Sequence, residues 1–174
     1  MTRRWLPGAL LLLTVMAGLV AGPRSAHTTE IWSGRTYGFA KAPFANPALP
    51  ANQDRISPLV WITRGSTQGI FNIQQETIFV HLVSPAGTEW ATGDAVDHAN
   101  LTFEPWEVWA QMAPPSTLGV LAVVHLIAED IYLDIVFDLW GGPTSGGSFA
   151  YRRALPPAVP ARPTSWGRIK SLYR

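Results

Sequence analysis

No cysteine occurs in this sequence, so disulfides, thiolate metal sites and a cysteine nucleophile are excluded at once. Charge is scarce too: 14% of the 174 residues are charged, against 47% hydrophobic. That balance argues against wholesale disorder and supplies side chains for a sizeable core. The spacings of several catalytic and metal motifs are missing: there is no HxH, HExxH or GxSxG, which argues against a zinc site or a serine-hydrolase elbow. The Gly-rich stretches RGSTQG and GGPTSGG lack the lysine of a phosphate loop and read as turns. A long apolar run is missing as well. The longest, Ala9 to Gly22, has about 14 residues, too few to cross roughly 30 Å of hydrocarbon.

What is present divides into three. MTRRWLPGALLLLTVMAGLVAG carries Arg3 and Arg4 ahead of that apolar run, the pattern of a secretory signal. Residues 1–26 are expected to be that signal, although Arg24 stands where a small residue is preferred before a cut after Ala26. Residues 27–153 are expected to form one domain, and 154–174 a Pro-rich linker with a short basic tail. In that tail Ser165 is a candidate cap, with Trp166, Ile169 and Tyr173 on one helical face. The net charge of +1 hides an asymmetry: residues 27–151 hold four basic residues and all twelve acidic ones. A body at −8 repels phosphate backbones, so nucleic acid is not an expected partner. The secretion signal places the mature chain in the periplasm or outside the cell, without a transmembrane helix.

Within the body the apolar pattern has period two and is cut by Gly, Pro, Asn and Asp clusters, the mark of strands and turns. Strands are expected in RTYGFAKA (35–42), LVWITRG (59–65), the second half of FNIQQETIFVHLV (71–83), TEWATG (88–93), NLTF (100–103), GVLAVVHLIAE (119–129), IYLDIVFDLW (131–140) and GGSFAYRR (146–153). EPWEVWAQM (104–112) reads as a short helical turn. Strands at this spacing without long helices predict an all-β fold, an antiparallel sandwich of jelly-roll-like or immunoglobulin-like kind.

Asp130, Asp134 and Asp138 recur every fourth residue, and on a helix they would stack on one face. Ile131, Leu133, Ile135, Phe137 and Leu139 instead alternate strictly, which makes a strand buried on its odd-numbered face. Four residues along a strand span about 13 Å, beyond the reach of one metal ion or of paired glycosidase carboxylates. A two-residue turn at Glu129–Asp130 would set His125 opposite Asp134, Ile127 opposite Tyr132 and Val123 opposite Val136. His125 with Asp134 is thus one candidate catalytic pair, and a polar pair on a wetter sheet face is its commoner role. Glu104 and Glu107 are a second candidate carboxylate pair, with capping or solvation as the commoner role.

Glu89, Asp94 and Asp97 offer oxygen ligands for calcium, but their spacing does not fit an EF-hand loop, and a solvated turn is the simpler reading. No other cofactor is expected. His81, in IFVHLV, is expected to be a hydrogen-bonded strand histidine. Of eight Trp, Trp90, Trp106, Trp109 and Trp140 are candidates to stack on a sugar ring; core filling is the alternative for each.

The ordered segments NQDRISPLVWITRGSTQGIFN (52–72), SPAGTEWATG (84–93), NLTFEPWEVW (100–109), VVHLIAEDIYLDIVFDLW (123–140) and GGSFAYRR (146–153) resemble an uncharacterised β-rich domain of secreted bacterial proteins. The resemblance covers about 120 residues, implies a module of larger exported chains, and brings no activity with it. This chain departs from it where Arg152 and Arg153 stand in place of an acidic residue. The ending SWGRIKSLYR is similar to short tails of other exported proteins. Together these readings predict a non-catalytic extracellular or cell-surface module, structural or adhesive. Its tail would dock to a cell-surface component or to export machinery. A carbohydrate-binding module and a hydrolase are the alternatives.

Overall fold

A computed structural model describes residues 28–158; the expected signal and the basic tail lie outside the described residues. Nine strands form in order: β1 Glu30–Trp32, β2 Thr36–Lys41, β3 Asp54–Arg55, β4 Trp61–Arg64, β5 Ile70–Asn72, β6 Thr88–Thr92, β7 Leu121–Leu126, β8 Ile131–Trp140 and β9 Phe149–Ala154. One α-helical turn, α1 (Trp106–Trp109), precedes β7. The fold is all-β and mostly antiparallel, in two sheets. The larger runs β2-β9-β8-β7-β6, and the smaller runs β3-β4-β5. Strand β1 is the parallel exception, lying beside Ile131–Leu133 at the start of β8. Strand β9 takes the same edge of β8 further along, from Ile135 to Trp140. No helix among the described residues is long and apolar enough to cross a membrane.

The alternation in β8 gives the burial it predicts: Ile131, Leu133, Ile135 and Phe137 are buried. Leu139 breaks the rule. A register shift between Phe137 and Leu139 leaves Leu139 exposed at 48% and brings Trp140 against the aromatic core (Trp106 ring at 5.4 Å). One extra residue on a strand reverses the faces that follow it. Strand β7 is buried on both faces from Ala122 to Leu126.

The β7–β8 turn is longer than expected. Leu126 pairs with Ile131, so Ile127–Asp130 form a four-residue connection, and His125 faces Tyr132 while Val123 faces Asp134. A two-residue turn of the favoured hairpin type needs positive φ at both central residues. Here only Asp130 takes one, at +53°, a conformation its short side chain tolerates and Glu129 would not.

Two further strand expectations fail. Residues 77–83 form no strand, and Ile78, Val80, Leu82 and Val83 are exposed. Only Phe79 packs inward, edge-on against Trp106. The segment is fastened instead by Glu107, whose Oε2 accepts from Leu82 N at 2.6 Å. The same oxygen lies 2.7 Å from Nδ1 of His81, so His81 is an exposed partner of a helix carboxylate and not a strand histidine. NLTF makes no strand either; the only ladder there is the Trp90–Glu104 bridge, with both backbone bonds at 2.9 Å.

Both sheets contribute to one apolar cluster, in which Ile56, Val60, Ile62 and Ile70 join Trp90, Leu133, Phe137 and Phe149. Two arginines reach across in opposite senses. Arg153 of β9 binds Asp54 of β3 (Nε–Oδ2 2.7 Å, Nη2–Oδ1 2.9 Å), and Tyr151 Oη donates to the same carboxylate at 2.7 Å. Arg64 of β4 donates through Nη1 to the carbonyls of Gly141 (3.0 Å) and Ser148 (2.9 Å) at the far end of the larger sheet.

Candidate functional site

The three aspartates of β8 and its turn do not converge; each has its own structural task. Asp130 accepts from Thr29 Oγ1 at 2.5 Å. Asp138 makes an exposed two-pronged pair with Arg152 of the neighbouring strand. Asp134 accepts the Ala95 N–H at 2.8 Å, at the start of the 3₁₀ turn Ala95–Asn100. Burial raises the Asp134 carboxyl above its ordinary range, the Ala95 N–H pulls it back, and Asp94 pushes it up again.

A raised folded pKa means that Asp134 adds stability below its unfolded value of 3.8. That contribution is lost as the pH climbs through the folded value. Asp134→Asn, which keeps an acceptor for Ala95, should therefore be more stable than the parent near pH 7 and equal to it near about pH 3. Asp134→Ala should lose about 1 kcal/mol by stranding that N–H. Urea denaturation at both pH values checks the pair; equal offsets for Asp134→Asn at the two would refute the assignment.

His125 does not pair with Asp134. Its Nδ1 lies 2.7 Å from Glu89 Oε1 on β6, the residue directly across the ladder. Nε2 is 3.4 Å from Asp130 Oδ1, too poorly aligned for a hydrogen bond. The imidazole lies flat on Tyr132 (centroids 4.0 Å apart, planes 2° apart), whose ring also meets His98 at 4.3 Å. This is a packed polar cluster on the outer sheet face. The second carboxylate pair is not assembled around one cavity: Glu107 lines one hollow and Glu104 another, about 300 Å³ in volume, with Phe103 and Ile127. The calcium candidates are dispersed in function, since Glu89 serves His125 and Asp94 caps Val96 N at 3.0 Å. No group of three His, Asp or Glu suited to a metal occurs among the described residues.

The tryptophans divide sharply. Trp90, Trp106 and Trp109 are 1%, 1% and 9% exposed, so none offers an open ring face. Trp90 stacks on Trp109 (5.6 Å) and Phe137 (6.0 Å). Their apolar surface fills the core, as large aromatic rings do wherever a sheet face is covered. Trp140 alone is half-buried, and it borders the larger hollow.

That hollow is a cleft of about 310 Å³ where the two sheets meet, walled by Arg64, Phe79, Trp106, Glu107, Trp140 and Pro143. The Arg64 guanidinium lies 3.8 Å above the Trp140 ring, within cation–π range. It is held there by Gln68 O on Nε and by the two carbonyls on Nη1. Arg64 is 3% exposed, and Lys41 behind it is 1% exposed. Burial lowers the Arg64 pKa to about 10, and burial, then Arg64 itself, lowers that of Lys41. Neither cation makes an ion pair among the described residues. Trp106 adds an indole N–H with no acceptor.

Arg64 and Lys41 were not singled out in the sequence, although a signal exists. Period-two counting from Val60 and Ile62 puts Arg64 on the buried face, and counting from Phe39 puts Lys41 there. Comparison with family models, curated proteins and solved structures finds no match for this chain, so the resemblance to an uncharacterised β-rich family gains no support from them.

Proposed function

We propose that this chain is exported and serves outside the cytoplasm as a non-catalytic binding module, with the Arg64–Trp140 cleft as its ligand site. The observation that carries the reading is the cleft itself, an aromatic-walled hollow holding a buried cation at the seam of two sheets. Ligand sites of this kind pair apolar walls with a few fixed polar groups. Arg64 and Trp140 stand at the ends of β4 and β8, one from each sheet, and α1 and the flanking turns complete the walls.

A sugar ligand is a second reading, favoured by Trp140 alone of the four candidate tryptophans. A hydrolase has less behind it, because His125 is engaged by Glu89 and stacked on Tyr132. Export rests on the signal-like first 26 residues, and fractionation of the producing cells tests it separately.

In the full chain, Trp140→Ala should weaken retention on immobilised cell-envelope material at least about tenfold, as loss of a central aromatic anchor does. Near-UV circular dichroism and elution volume should stay those of a folded protein, with stability lower by about 2–3 kcal/mol. Unchanged retention would place the ligand elsewhere, and substrate turnover that disappears in His125→Ala would replace this reading with the hydrolase.

A further inference from the structure

We infer that the Arg64–Trp140 cleft takes a carboxylate carried on an apolar ring, a chemical class that deepens the binding reading above and rests on it. The argument starts from a contrast between two buried arginines. Arg153 is 6% exposed and has Asp54 in two-pronged contact. Arg64 is more enclosed and has only carbonyl oxygens. Burying a cation without an anion costs several kcal/mol, and such charges are normally paired.

No Asp or Glu side chain lies outside the described residues to supply the missing charge. All twelve Asp and Glu lie between Glu30 and Asp138, and none is within ion-pair distance of Arg64 or Lys41. Glu107 shares the cleft, but its Oε2 is committed to His81 and to Leu82 N. The seam therefore holds two cations that have no ion-pair partner among the described residues.

The open donor defines the ligand's polar end. Nε and Nη1 of Arg64 are occupied by Gln68, Gly141 and Ser148, which leaves Nη2 without a hydrogen bond among the described residues. Trp106 Nε1 also lacks an acceptor, but it is buried beneath the cleft wall and not open to a ligand. An N–H donor on a buried guanidinium without an ion pair suits a carboxylate oxygen through a charge-assisted bond. A phosphate dianion would bring more charge into the same apolar walls, at a greater desolvation cost. The rest of the lining sets Phe79, Trp140, Pro114, Pro115 and Pro143 beside Thr67, Gln68, Glu107 and three glycines, so rings and prolines supply most of the apolar wall. At about 310 Å³ the cleft stands at the small end of ligand sites, room for about one or two rings.

Gly142 gives a test that leaves the core alone. It borders the cleft next to the Gly141 carbonyl that holds Arg64, an added Cβ there meets nothing within 4 Å, and its φ of −68° suits any residue. Gly142→Glu places a tethered carboxylate at the cleft, and Gly142→Gln is its neutral twin. Titrations of the full chain, followed by tryptophan fluorescence and calorimetry, would use phenylacetate, phenylacetamide, glucuronate, glucose, acetate and inorganic phosphate.

Phenylacetate should bind at least about tenfold more tightly than phenylacetamide, the difference expected of a charge-assisted hydrogen bond. Gly142→Glu should weaken phenylacetate at least about tenfold more than Gly142→Gln does. Equal binding of acid and amide would overturn the inference and leave a cleft for neutral ligands. Binding of glucose and glucuronate without phenylacetate would overturn it in favour of a sugar site. Acetate or phosphate binding as tightly as phenylacetate would overturn the apolar-ring requirement. If nothing in the series binds, the inference fails, whereas the binding-module reading stands or falls on retention by Trp140→Ala.

Discussion

Asp54→Ala is expected to cost about 3–5 kcal/mol, the usual penalty for removing one member of a buried ion pair. Asp54 is 3% exposed and receives three donors, two from Arg153 and one from Tyr151. Taking the carboxylate away strands a guanidinium that is 6% exposed and a phenol that is 1% exposed. Asp54→Asn keeps one acceptor and should lose less. The double variant Asp54→Asn with Arg153→Met removes the stranded charge as well, and should recover part of the loss. Urea denaturation with an unchanged slope reads the differences. A loss below about 1 kcal/mol for Asp54→Ala, a surface-like value, would mean that water reaches the pair.

The second large effect concerns a glycine. An added Cβ on Gly147 would lie 1.7 Å from the carbonyl oxygen of Gly65 and 2.9 Å from the Cα of Ser66, with φ already at +66°. Backbone cannot yield as a side-chain tip can, and a left-handed residue other than glycine costs about 1–2 kcal/mol before any clash. Adding an overpacking penalty of about 1–3 kcal/mol, Gly147→Ala should lose roughly 3 kcal/mol or more. Its neighbour across the contact supplies the control. Gly65 has open space where its Cβ would be, so Gly65→Ala should stay within about 0.5 kcal/mol of the parent. Equal losses at the two positions in parallel thermal melts would refute the one-sided contact.

Why the two glycines differ is invisible in RGSTQG and GGPTSGG, which announce turns and nothing of what packs on them. The fold class was legible because strand burial is written in parity: 131, 133, 135 and 137 face inward as the alternation requires. Where parity failed, the cause was a local backbone event. The shift after Phe137 exposed Leu139, and a four-residue turn in place of a two-residue one moved His125 from Asp134 to Tyr132. The segment 77–83 read as a strand because Ile78, Val80 and Leu82 alternate, yet no neighbouring strand receives them and Glu107 holds the loop.

At the cleft, the sequence offered Trp140 among four equal candidates, and burial alone could rank them. Parity also carried an unread message. Lys41, Arg64 and Arg153 all fall in phase with buried apolar neighbours, and cations on an inward face are the residues to question. Which of them owns an anion depends on contacts between residues far apart, such as Arg153 with Asp54.

Strand β8 also bears on how the chain assembles. Its one edge is divided between β1, which arrives first in the sequence, and β9, which arrives last, and Leu155 N closes on Arg35 O at 2.8 Å. The β9 half closes as a local hairpin, but the β1 half cannot be satisfied until residues about a hundred positions apart, such as Glu30 and Ile131, have met. Topologies built on such distant partners fold slowly. A fragment ending before β9 would present an unpaired ladder that other chains can extend, so nascent or clipped forms are the ones expected to self-associate.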